Sequence, residues 1–458
     1  MENIKNQRPF GSRDVIGYMF GDMAGSFVSL TFDAFYLIFA TYVLKIDPKF
    51  MSMMYLFVRF YDAVDDPLIG SLPDRFRLSD KEKFKPWIKI FMWPLAISII
   101  LGFINIDKWN LNQSMKHVWV TLIYLIYGIS YTGTSMPYGA MANLIATNQK
   151  EKSRLSAARS IGGLIIAFIV LGLAPMIIWD KNNNPNEFGY TIVSVICAIG
   201  SIISYLILNK FTIERKSYHK ETDKNEDYNF FQTIKEALSN RSLVGIMIAS
   251  IGSMIWITAN NQFVGFMFKE FYNRPKLQTI SIVSQLPITV LLFFIAPKLS
   301  ERYGKRKTLT LFLIVNMIIS TFLFLYPIKD PIVFILINIF SNIGQAMFMI
   351  FVWAFVADAI DYHEYKFNSR NDGTLYSAYT FSRKIGTTIA SAGATAALAS
   401  IGFVSGAPRQ SIAVANNIRY FATAIPIISC LLELVGIRVI YHLTEADSEK
   451  ITRLLAKA

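Results

Sequence analysis

Residues 57–76 read FVRFYDAVDDPLIGSLPDRF. An arginine and three aspartates, Arg59, Asp62, Asp65 and Asp66, stand in a segment whose other residues suit a membrane-spanning helix. A charge near the bilayer centre costs a few kcal/mol even on lenient scales, and such residues mark ion and substrate pathways. If the helix ends near Asp74 at the membrane boundary, a rise of ~1.5 Å per residue puts Asp66 ~12 Å and Asp62 ~18 Å inward. The hydrocarbon core is about 30 Å thick, so Asp62 falls close to its middle. Asp62 and Asp66 share a face one turn apart, and Asp65 flanks it. Pro67 donates no backbone bond, which frees the carbonyl of Ala63. Hard oxygens on one face suit a monovalent cation or a proton. The competing reading is a set of structural ion pairs with neighbouring helices, and a charge partner does not exclude transport.

The rest of the chain agrees with a membrane setting. Of 458 residues, 53% are hydrophobic and 17% charged, with 36 Phe and 22 Tyr. Soluble chains carry about 25% charged residues. Apolar runs of roughly 20 residues recur along the whole length, the pattern of a polytopic membrane protein. The net charge of +13 sits in short loops between apolar runs, which speaks for membrane topology and against a nucleic-acid partner. Cys197 and Cys430 lie in apolar runs and form neither a disulfide framework nor a metal spacing. No cofactor is expected, and no cleavable signal peptide: the polar start leads into an apolar run too long for one.

Hydropathy predicts twelve helices, at about 14–44, 49–74, 87–106, 118–146, 155–179, 189–212, 243–272, 276–299, 308–328, 331–360, 374–403 and 415–442. Arg75, Arg77, Lys81, Lys83 and Lys85 crowd one loop, and Arg302, Lys305, Arg306 and Lys307 another. The alternate loops carry few basic residues, so both termini are expected on the cytoplasmic side of the cell membrane. The polar segment at 213–242 separates a six-helix half (1–212) from a second (243–442), with a cytoplasmic tail at 443–458. The acid–arginine pairs Asp74–Arg75 and Glu301–Arg302 occupy corresponding loops of the two halves. Two such six-helix halves are the layout of the major facilitator fold, with its substrate site at the midplane. The expected fold class is therefore an all-α membrane protein of that type, working as a monomer in a lipid bilayer.

Polar residues recur inside the apolar helices. Helix 1 carries Asp22, Ser26 and Asp33, helix 4 carries YGISYTGTSMPYG, and helix 7 carries TANNQF with Asn260 and Asn261. Arg159 opens helix 5, Gln345 lies on helix 10 and Lys384 on helix 11. One by one these residues suit helix packing. Together they make a polar interior of the kind that hydroxyl-rich ligands need.

Four motifs in order, RFYDAVDDPLIG, KFKPW, FVADAIDYHEYK and YSAYTFSRKIG, resemble the glycoside-pentoside-hexuronide:cation symporter family, the melibiose-permease branch of the major facilitators. The resemblance covers nearly the whole chain. It implies that Asp62 and Asp66 bind the coupling cation, as sodium ligands if the ion is sodium. Asp65 stands where the melibiose permease has asparagine, and Thr132 matches a hydroxyl at the cation site. Lys384 matches a lysine linked to that site, and Arg159 an arginine at the sugar site. Asp358, Asp361 and Glu364 match cytoplasmic acids of the gate, where Asp74–Arg75 and Glu301–Arg302 would also act. Ser26 and Ser135 replace two acids of the melibiose permease, and Gly139 and Met349 replace two aromatic residues, so melibiose is not the expected substrate. Asp33, two turns from Ser26 on the same face, is expected to take over part of the hydroxyl binding. The function implied is symport of a glycoside, pentoside or hexuronide with Na+ or H+ by alternating access. The alternatives are a carrier of another solute such as a lysolipid, or a non-transporting membrane sensor. Catalytic residues are not expected.

Overall fold

The computed structural model describes residues 8–70, 72–76, 78–79, 82–146, 149–215, 238–367 and 372–455. The side chains of residues 63–68, 74 and 75 are not among those described. The expectations for Asp65, Asp66, Asp74 and Arg75 therefore lie outside the described residues, as does most of the central polar segment.

The chain forms two compact units, Met1–Asp223 with Phe403–Arg409, and Lys224–Gly402 with Gln410–Ala458. The first contains α1 (Ser12–Tyr42), α2 (Pro48–Gly70), α3 (Leu72–Arg75), α4 (Lys85–Gly102), α5 (Gln113–Ile145), α6 (Gln149–Ala167), α7 (Ala174–Ile178) and α8 (Glu187–Phe211). The short segment 403–409 joins this unit because Gly406 N–H donates to the Thr41 carbonyl (2.9 Å) and the Ser405 hydroxyl to that of Ile46 (2.8 Å). The second unit contains α9 (Arg241–Ile255), α10 (Asn261–Glu270), α11 (Leu277–Val283), α12 (Leu286–Tyr303), α13 (Lys305–Leu325), α14 (Pro331–Ser341), α15 (Ile343–Phe367), α16 (Asp372–Ser400), α17 (Ile412–Leu434) and α18 (Glu445–Leu455).

Each predicted range is occupied by helix, but several are interrupted. The range 276–299 is divided at Ser284 and Gln285 into α11 and α12. Pro287, in the first turn of α12, has no N–H to continue the ladder. The range 331–360 is divided at Asn342 into α14 and α15. Phe168–Leu173 is wound as a π-helix between α6 and α7, just before Pro175, which cannot donate to the carbonyl four residues back. Trp256–Asn260 and Val435–Ile440 are also π-helical. Among the described residues, nine helical segments are long and apolar enough to cross a membrane. Helices α2, α5 and α16 are not among the nine, and they carry the charged and hydroxyl motifs quoted above.

Packing in the first unit centres on aromatic rings from α1 and α5 and on Phe103, the residue that follows α4. Phe32 stacks on Tyr127 at 4.2 Å, and Tyr36 on Tyr124 at 5.7 Å. Phe103 lies edge-on to Tyr36. Offset and edge contacts of this kind follow the ring quadrupoles. In the second unit, Leu243 and Ile246 of α9 pack with Leu313 of α13 and with Phe348 and Phe355 of α15.

An acid that follows the last long helix of each unit caps the unit's third long helix. In the first unit Glu214 accepts from the N–H groups of Lys83 (2.6 Å), Phe84 (3.1 Å) and Lys85 (3.1 Å), at the start of α4. In the second, Glu445 accepts from Lys305 N–H (2.7 Å), at the start of α13. The first N–H groups of a helix have no intrahelical partner, and a carboxylate there also meets the positive end of the helix dipole.

Candidate functional site

The site in the first unit is built where α1, α2 and α6 bring charged side chains together in apolar surroundings, against uncharged residues of α5. Asp62 lies on α2 and its side chain is largely buried (14% exposed). Arg59, one turn earlier, places Nη1 3.4 Å from Asp62 Oδ2 and Nη2 4.0 Å from Asp33 Oδ1 on α1. One guanidinium thus faces two acids on two helices, which its planar fork of donors permits. Tyr124 of α5 lies close to the same arginine. Asp62 can approach α5 because position 128 is glycine: a Cβ there would stand 2.9 Å from Asp62 Oδ1.

About three turns along α1 from Asp33 lies a second charged pair. Arg159 Nε of α6 donates to Asp22 Oδ1 at 2.9 Å. The Ser26 hydroxyl, one turn from Asp22, donates to Asp22 Oδ2 at 3.5 Å. The Arg159 guanidinium lies 5.3 Å from the Tyr138 ring, within cation–π range. Tyr138 is held in place: it stacks on Tyr18 at 4.5 Å and its hydroxyl donates to the Tyr18 carbonyl at 2.8 Å. Gly163 of α6 leaves room for the acid, since a Cβ there would stand 2.8 Å from Asp22 Oδ2.

The residues singled out in the sequence are thus divided between two clusters. Asp62 and Asp33 share Arg59, whereas Ser26 and Arg159 share Asp22. Thr132 is buried and Ser135 is partly buried, both on α5. Asp22 and Arg59 were both visible in the sequence as charges in apolar helices, but neither was assigned a site role. The signal that could have marked Asp22 is its i,i+4 spacing from Ser26. Gly128 and Gly163 carry no signal of this kind, because their importance lies in what packs against them. Among the described residues, no group of three or more acids, histidines or cysteines gathers as a metal cluster; the side chains of Asp65 and Asp66 lie outside that set.

In the second unit, Gln345 is buried and its amide donates to the Ser253 hydroxyl. Asn260 is buried and closes the π-helical turn before Asn261. Lys384 is exposed on α16, and its carbonyl accepts from the hydroxyls of Thr387 and Thr388. Of the expected gating residues, Glu301 and Arg302 are exposed at the end of α12, and Arg302 lies over the Tyr303 ring. Asp358 pairs with Lys305 and accepts from the hydroxyls of Tyr441 and Ser448, each at 3.1 Å. It thereby joins α15 to the start of α13 and to α18. Asp361 and Glu364 lie further along α15, partly buried.

The chain is 27% identical to the glucuronide carrier protein homolog of Escherichia coli, over 96% of this chain and 94% of that protein. It is 25% identical to a putative glycoside/cation symporter of the same organism, over 97% and 95%. The inward-open xylose transporter of E. coli superposes with a TM-score of 0.63, covering 96% of this chain and 98% of that one. At 12% identity this last likeness concerns the fold alone. Residues 17–445 match the family described as MFS/sugar transport protein. The chain belongs to that family, and it is a multi-pass membrane transporter.

Proposed function

We propose that the protein is a secondary active transporter that moves a sugar or glycoside together with Na+ or H+, by alternating access. The observation that carries this reading is Asp62: an acid in the middle of an apolar helix, held between Arg59 and the bare backbone of Gly128. Acids inside membrane-spanning segments are costly and mark ion and substrate pathways. The glycoside/cation symporter among the relatives supports the same reading. In this reading the chain crosses the cell membrane twelve times with both termini in the cytoplasm. A cation at Asp62 and Asp66, with Asp65 and Thr132 nearby, competes with Arg59 for the carboxylate. By linkage, sugar and cation raise each other's affinity by the same factor.

The test is uptake of labelled glycosides, pentosides and hexuronides into proteoliposomes under an imposed Na+ or H+ gradient. Wild type is expected to accumulate at least one sugar. Asp62→Asn is expected to lose accumulation while retaining exchange. If wild type accumulates no sugar under either gradient, the substrate class is wrong and a lysolipid becomes the next candidate.

A further inference from the structure

We propose that the second unit binds an anionic phospholipid where α9 and α13 begin and α17 ends, with Arg241, Arg306 and Arg438 around the lipid phosphate. The proposal depends on the membrane setting and not on what the carrier moves.

Three guanidiniums gather on one short piece of backbone. Arg306 of α13 donates from Nε to the Ile437 carbonyl (3.1 Å) and from Nη2 to that of Arg438 (3.0 Å). Arg241, the first residue of α9, donates from Nη2 to the Val439 carbonyl (3.0 Å). These consecutive carbonyls lie in the π-helical segment that follows α17. Arg438 stands among them, exposed, and the charges of Arg438 and Arg241 both reach Arg306. Lys366, at the end of α15, adds a further charge close to His442.

Capping of the helix end explains part of this arrangement, since the last carbonyls lack intrahelical partners. It does not explain Arg438, which donates to nothing among the described residues, nor the Nη1 groups of Arg241 and Arg306, which are equally free there. It also leaves the repulsion among like charges unanswered. Three acids at this end are engaged elsewhere. Asp358 pairs with Lys305, Glu445 accepts from Lys305 N–H, and Asp447 accepts from the N–H and hydroxyl of Thr444. Among the described residues, Arg241, Arg306 and Arg438 form no ion pair.

Depth points to a lipid rather than a dissolved phosphate. Arg306 lies in the first turn of one apolar span, Lys305–Leu325, and the carbonyls it meets lie in the last turn of another, Ile412–Ile440. The cluster therefore stands at headgroup level. Further along, both helices carry exposed aliphatic side chains, Leu311 and Ile318 on α13 and Ile428 and Leu431 on α17, which offer apolar surface to acyl chains. Guanidiniums match phosphate bidentately, and basic pockets between membrane helices hold phosphate headgroups.

Native mass spectrometry of the full chain in detergent tests this, with an equimolar mixture of phosphatidylglycerol and phosphatidylcholine of the same acyl chains. Wild type is expected to retain the anionic lipid about ten-fold over the zwitterionic one. Arg438→Gln, which removes no cap, is expected to lower that preference about five-fold, the effect of one cationic side chain at an anionic surface. Arg241→Gln is expected to act in the same direction. Lys329→Gln, beyond the other end of α13, removes the same charge and is expected to leave the preference unchanged. An equal loss in Arg438→Gln and Lys329→Gln would make the preference a matter of net charge and overturn the proposal. Absence of any preference in wild type would overturn it without a variant. Inorganic phosphate is the probe for a dissolved ligand: if it raises the melting temperature as much as phosphatidylglycerol does, the lipid assignment fails. Each of these outcomes leaves the sugar-carrier reading as it stands.

Discussion

Arg59 lies 3.4 Å from Asp62, one turn along the same helix, and 4.0 Å from Asp33 on a different helix. The arginine is therefore a resident cation in front of the proposed cation site. Removing its charge while keeping a polar side chain, in Arg59→Gln, leaves both acids to the incoming ion. The half-saturating cation concentration for sugar exchange is expected to fall several-fold, because one like charge beside the ion is gone. Gradient-driven accumulation is expected to fall as well, since the ion then leaves slowly. A weaker cation dependence would show that Arg59 holds the site together rather than competing for it.

Gly128 gives a test of geometry at constant charge. A Cβ at this position would lie 2.9 Å from Asp62 Oδ1, so Gly128→Ala must displace the carboxylate by a few tenths of an ångström. Cation affinity, read from exchange, is expected to weaken about ten-fold, since small misplacements of a working group are costly. Gly139→Ala on the same helix is the control, because nothing lies within 4 Å of its Cβ. It is expected to leave affinity unchanged.

The two capping acids differ in how many donors they satisfy. Glu214 takes three N–H groups and Glu445 takes one. Glu214→Ala is expected to cost about 1–2 kcal/mol, in the range of a lost cap with buried donors. Glu445→Ala is expected to cost less. Thermal unfolding in detergent reads the order of the two, and a larger fall for Glu445→Ala would refute the argument.

Asp107, in the short turn after α4, supplies a pH test. Lys116 and Lys45 both hydrogen-bond its carboxylate, Lys45 at 2.8 Å, and they hold it below the usual carboxylate range. A lowered native pKa means that its stabilisation is present above the ordinary value and is lost as pH falls through the lowered one. At neutral pH, Asp107→Asn is expected to lower the melting temperature by about a degree or two, because partly exposed pairs are worth little. In acid, below the lowered value, wild type and variant are expected to converge. An equal gap at both pH values would remove the ion pairs as its cause.

The helices were readable from the sequence because apolar runs of spanning length leave the backbone little alternative in a bilayer. Their interruptions were less so. Pro175 and Pro287 stand just after two of the interruptions, yet the break at Asn342 and the π-helical turns at Trp256–Asn260 and Val435–Ile440 contain no proline. Hydropathy is blind to a change of hydrogen-bond register.

By itself the sequence determined that this chain is a many-helix membrane protein, that Asp62 lies deep in one of its helices, and which family its motifs resemble. Composition, spacing and order carry that information directly. Only the tertiary structure decided which charge meets which. Arg59 stands three residues from Asp62 and pairs with it, but it also reaches Asp33 on α1. Asp22 and Arg159 are 137 residues apart and are brought to 2.9 Å by the packing of α1 on α6. Pairing across helices depends on their rotation and close approach, which side chains as small as those of Gly128 and Gly163 permit, and no one-dimensional pattern encodes it.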